Sequence, residues 1–195
     1  MDRVSQFKTI QDQLNGDRFN NKFTHVIENS YNNLDNVDNN KVNEIKQQII
    51  LEVNNLWREI SQIQRKTTKS IAFDNVENLY DILASLQLYA SLGYIINTEY
   101  NNFTKTQGIK ILNSFRSNAC ELFTRKNADY GDAFANYGIV GLIVRMGDKI
   151  SRINSLSINN VKVVDESIAD TFIDLYNYCI MAMMLICDSL SQDTL

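Results

Sequence analysis

Val42-Asn43-Glu44-Ile45-Lys46-Gln47-Gln48-Ile49 opens a run whose apolar residues return every three or four positions, through Val53, Leu56, Trp57, Ile60 and Ile63. That period is one face of a long amphipathic α-helix. The 195-residue chain has no Pro and only seven Gly, so no helix interior loses an N–H to proline. Outward from this run the same period recurs. Asp74-Asn75-Val76-Glu77 reads as a capping box, opening a helix from about Asn75 to Ile96 that packs Leu79, Leu83, Leu86, Tyr89 and Tyr94 inward. Ile109, Leu112, Phe115, Ala119, Leu122 and Phe123 form a further face, and Ile139, Leu142, Ile143, Met146, Ile150 and Ile153 another. Asp165 is the expected N-cap of a last helix reaching about Ser189. Near the start, Val4, Phe7, Ile10 and Leu14 suit one helix and Phe19, Phe23, Val26, Ile27 and Tyr31 a second, before an Asn/Asp-rich loop.

The expected fold is an all-α bundle of five to seven helices. It divides into an N-terminal helical and Asn-rich segment (1–40), a helix pair (41–100) and a helical domain (105–190). Glu77 and Asp81 have the spacing of Glu166 and Asp170, and Tyr89 falls where Tyr178 falls, so the helix pair reads as a diverged copy or as a chance match.

Composition narrows the function. A net charge of −4 argues against a binder of polymeric nucleic acid, which would carry a basic face. One His (His25) and no Cys-x-x-Cys pair leave no zinc site of the usual kind and no His-based triad. Cys120, Cys179 and Cys187 lie in apolar surroundings and are expected as buried thiols in a cytoplasmic protein. No uninterrupted apolar run is long enough for a bilayer; the most apolar, Cys179–Cys187, is too short.

Charge gathers instead between Lys126 and Tyr178. Lys126-Asn127-Ala128-Asp129-Tyr130-Gly131-Asp132 reads as an ionisable loop. In it Lys126 can reach a phosphate, Asn127 a base or ribose edge, and Tyr130 can stack; the plain alternative is a turn ended by Gly131. Arg145, Lys149 and Arg152 share a helix face bordered by Asp148, and Glu166, Asp170, Asp174 and Asn177 form one stripe on the last helix. Carboxylates at i,i+4 repel, and Mg2+ would neutralise them. Two structural readings compete: dipole-complementing acids in the first helical turn, and salt bridges from the cations to the acids. Asp174 and Asn177 sit among apolar neighbours and need partners.

Three motifs in order, Arg125-Lys126-Asn127-Ala128-Asp129-Tyr130-Gly131-Asp132-Ala133-Phe134, Arg145-Met146-Gly147-Asp148-Lys149-Ile150-Ser151-Arg152-Ile153 and Glu166 through Asp170 and Asp174 to Asn177-Tyr178, resemble the nucleotide modification associated domain of phage and bacterial proteins. That domain is similar to the all-α nucleoside triphosphate pyrophosphatases of the MazG and dimeric dUTPase group. The resemblance covers about Ile109–Asp188 and implies an oligomeric helical bundle with Mg2+ held by acids. The functional reading of the charged residues, taken with this resemblance, expects metal ligands Asp148, Glu166, Asp170 and Asp174, catalytic roles for Glu166, Asp170 and Asp174, and nucleotide contacts from Lys126, Asn127, Asp129, Tyr130, Arg145, Lys149, Arg152, Asn177 and Tyr178. The paired Glu-x-x-Glu of the pyrophosphatases is missing. The expectations are therefore Mg2+-dependent hydrolysis of a nucleoside triphosphate or, alternatively, nucleotide binding without cleavage in phage nucleotide or DNA-base modification. A helical adaptor whose charges pair internally is the third reading.

Overall fold

The computed structural model describes residues 2–14, 39–66, 76–98, 105–159 and 167–192. They form helices α1 (Arg3–Gln13), α2 (Asn39–Lys66), α3 (Val76–Thr98), α4 (Lys105–Tyr130), α5 (Ala133–Asn136), α6 (Gly138–Asn159) and α7 (Ile168–Gln192), with no strand among the described residues. The all-α bundle is as expected. The proposed helix over Phe19–Tyr31 and the capping box at Asp74 lie outside the described residues.

Two helices form the centre. α3 and α7 pack on each other most extensively, with α2 against α3, α6 against α7, and α2 touching α6 across the bundle. Gly93 meets Phe172 so closely that a Cβ there would lie 2.3 Å from the ring, which lets the two central helices approach. Across the outer pair, Asn54 and Asn154 exchange side-chain hydrogen bonds of 2.9 Å. One continuous apolar core results, to which α2 gives Val42, Ile45, Ile49, Val53, Ile60 and Ile63, the face its periodicity predicts. Met183, Met184, Leu185 and Ile186, near the end of α7, are buried in this core.

α3 and α7 are long and apolar enough to cross a membrane, contrary to the expectation from uninterrupted runs, because each stays apolar on average despite scattered polar residues. Of each such window, 67% is buried inside the bundle, the composition expected of a core helix.

α1 lies across α4 and α7. Phe7 stacks on Phe123 with ring centroids 4.4 Å apart. Gln11 donates to the Tyr176 hydroxyl at 3.1 Å and to the Arg116 carbonyl at 3.0 Å, so two polar groups at the core edge satisfy each other. Cys120 and Cys179 are buried free thiols, Cys187 is half-buried, and burial pushes the Cys179 thiol far above its ordinary range.

Two boundaries differ from the sequence reading. Lys126–Tyr130 is not a loop but the last turns of α4. No residue there breaks a helix until Gly131, whose φ of 57° is the left-handed conformation that ends helices and whose N–H donates to the Asn127 carbonyl at 2.8 Å. At α7, Ser167 performs the capping expected of Asp165, which lies outside the described residues. Ser167 Oγ accepts from the Asp170 N–H at 3.1 Å, and the Asp170 carboxylate accepts from the Ser167 N–H at 2.9 Å, a reciprocal capping box.

Candidate functional site

A pocket of about 680 Å3 opens where the end of α4, the short α5, the start of α6 and the middle of α7 meet. The turns around α5 make room for it: Gly131 and Gly138, on either side, both hold positive φ. Phe123, Phe134, Tyr137 and Tyr178 supply aromatic wall, and Lys126, Arg145, Asn127 and Asn177 supply polar groups. Tyr130 and Tyr137 stand largely exposed at the rim.

Asp174 is the pocket's carboxylate and it is buried. It accepts from Lys126 Nζ at 2.8 Å and from Lys149 Nζ at 2.7 Å. Burial works to raise its pKa, but the two lysines outweigh burial and hold it below the usual carboxylate range. The lysines differ: the Lys149 side chain is 18% exposed and that of Lys126 50%, so Lys126 is the one able to turn toward a ligand. The pocket lining carries two cations, Lys126 and Arg145, against one carboxylate, Asp174, so its charge is net positive in an acidic protein.

Asn177 Nδ2 donates to the Ala119 carbonyl at 3.2 Å, which orients the amide. Its Oδ1 and that of Asn127 are buried acceptors without a donor from the described residues.

The nine expected nucleotide contacts therefore divide. Lys126, Asn127, Tyr130, Arg145, Asn177 and Tyr178 line the pocket, Lys149 reaches it through Asp174, and Asp129 and Arg152 do not line it. Of the expected metal and catalytic acids, the three at described positions, Asp148, Asp170 and Asp174, have separate surroundings. Asp170 caps its own helix, Asp148 is exposed on α6 away from the pocket lining, Asp174 is neutralised by two lysines, and Glu166 lies outside the described residues. Among the described residues no three Asp, Glu, His or Cys side chains converge on a common point. A preformed Mg2+ site needs several oxygen ligands at once, and Asp148, Asp170 and Asp174 by themselves do not supply one. The aromatic wall, Phe123, Phe134 and Tyr137 above all, was not singled out from sequence. Phe134 and Tyr137, three residues apart beside two glycines, were its available signal.

Residues 126–186 match the family described as nucleotide modification associated domain 1. The matched segment runs from Lys126 through α5, α6 and most of α7, so the domain similarity and the pocket coincide, apart from the contribution of the rest of α4. No curated protein and no solved structure matches the chain.

Proposed function

We propose that the pocket binds a nucleotide, taken as a free phosphorylated small molecule. The observation that carries this reading is the joining, in one cavity, of net positive charge with aromatic walls and buried amide acceptors. Lys126 swings from Asp174 to a phosphate while Lys149 stays on the carboxylate, and Arg145 adds a second, forked donor. The base lies against Tyr178 and the rim tyrosines, where ring stacking adds to apolar burial. The buried oxygens of Asn127 and Asn177 take N–H donors from the base edge once neighbouring side chains shift to admit it, relieving acceptors that are costly to leave unmet. Similarity to a nucleotide modification associated domain supports the ligand class.

We favour binding without cleavage: Asp170 caps its own helix and Asp174 pairs with two lysines. The test is a panel of ribo- and deoxyribonucleoside mono- and triphosphates, with and without Mg2+, read together by melting and by chromatography. A ligand at a hundred times its Kd should add about 2.7 kcal/mol of stability. For a chain of this size that raises Tm by about 5–11 °C. Lys126→Ala with Arg145→Ala should abolish the rise. No shift with any nucleotide would sink the proposal, and conversion of a triphosphate to its monophosphate would extend it to a pyrophosphohydrolase activity.

A further inference from the structure

We infer that Arg3, on a helix far outside the matched domain, is a positioning residue that straps the α5 wall of the pocket onto the bundle. As a statement about ligand binding, this rests on the nucleotide reading above. α5 has four residues, none of them buried, and lies between two positive-φ glycines. A single helical turn has almost no stability of its own, since nucleation fixes several residues for one hydrogen bond. Something else must hold it, because its Phe134 and the Tyr137 that follows are pocket wall.

The holding group is visible at its start. Asp132 occupies the N-cap position of α5, yet its side chain makes no capping bond. It accepts instead from Arg3 Nε at 3.0 Å. Arg3 Nη1 donates to Asp188 on α7 at 2.5 Å and to Gln6 at 2.8 Å, so one guanidinium spans the loop and the bundle's central helix. Gln6 Nε2 in turn donates to Asp188 Oδ1 at 2.8 Å and so fixes the carboxylate that anchors Arg3. The guanidinium carbon also lies 5.5 Å from the Phe134 ring centroid, over the wall residue itself. Behind it, Phe7 stacks on Phe123, and Phe123 meets Phe134 edge-on at 6.3 Å. α1 thus supports the wall at its charged end and at its apolar back.

The chemistry requires arginine. Only a planar fork can donate to two carboxylates in different directions while presenting a face to an aromatic ring; a lysine ammonium keeps the charge and loses this geometry. Arg3→Lys and Asp132→Asn are the tests. The second touches only the strap and leaves the Gln6, Phe7 and Gln11 contacts of α1 in place. Hydrogen exchange across residues 131–137 should quicken about tenfold or more in both variants, with exchange in the middle of α7 unchanged. Affinity for whichever nucleotide of the panel binds the wild-type chain should fall about tenfold, and sodium chloride should not restore it. Unchanged exchange over 131–137 would overturn the inference, and so would quickened exchange with undiminished affinity. If the wild-type chain binds none of the panel, the nucleotide reading fails by itself, and the exchange measurement alone still decides whether Arg3 holds the wall.

Discussion

Asp174→Asn separates a structural charge cluster from a metal ligand. The amide keeps the shape of the carboxylate and removes its charge, so no cavity is created. What is lost is the neutralisation of Lys149, 18% exposed and 2.7 Å away, and of Lys126, half-exposed and 2.8 Å away. Leaving one member of a buried pair uncompensated costs about 3–5 kcal/mol. For Lys149, which keeps a further interaction, that scale is an upper limit, whereas Lys126 belongs on the surface scale of about 0–1 kcal/mol. The amide oxygen retains one hydrogen bond, which returns about 1 kcal/mol. A net loss of about 1–3 kcal/mol corresponds to a Tm lower by roughly 2–12 °C. The pH dependence carries a definite sign. The folded-state pKa of Asp174 is depressed below its unfolded value of about 3.9. Its stabilisation is then fully present above about pH 4 and is lost as pH falls through the folded value. Melting followed by circular dichroism should show a constant gap between wild type and variant from pH 5 to 7, narrowing below pH 4. Equal melting at pH 7, or a gap that persists unchanged at pH 2, would refute the reasoning. A variant that melts normally yet loses a Mg2+-dependent ligand response would return Asp174 to the metal.

Two other substitutions test the frame around the site. Gly93→Ala places a Cβ 2.3–2.6 Å from the ring of Phe172, which is 1% exposed and enclosed. Overpacking of about 1–3 kcal/mol should exceed the helix-propensity gain of about 1 kcal/mol. A Tm at or above the wild-type value would contradict the close α3–α7 contact. Asp170→Ala removes half of the capping box with Ser167, so a loss of about 1 kcal/mol with faster exchange confined to the first turn of α7 is expected. Loss of nucleotide-dependent stabilisation, with α7 exchange unaltered, would show that Asp170 serves a ligand instead of a cap.

The fold was legible because helix periodicity is local. α2 buries the residues its spacing marks, and Phe7 and Ile10 of α1 are buried as their spacing predicts. Polar patterning also picked out Asp174 and Asn177, since a carboxylate and an amide among apolar neighbours must have partners. The same reasoning failed at Lys126–Tyr130. Asn, Asp and a following Gly suggest a turn, but residues 126–130 stay helical and the turn begins only at Gly131, so the α4 helix carries Lys126 to Asp174. The acidic stripe on α7 spans two different surroundings. Residues at i and i+4 share a face, yet that face changes surroundings along the helix, from the solvent at Asp170 to two lysines at Asp174.

By itself the sequence determined that this protein is helical, where most helices run, and which stretch gathers its charge, because periodicity, glycine and proline act over a few residues. Only the tertiary structure decided which charges pair with one another and which line the pocket. Lys149 and Lys126 meet Asp174 from two different helices, and Arg3 reaches Asp132 across 129 positions of chain. Such pairings depend on how helices pack, and packing is set by the shape of the whole core, which no local pattern encodes.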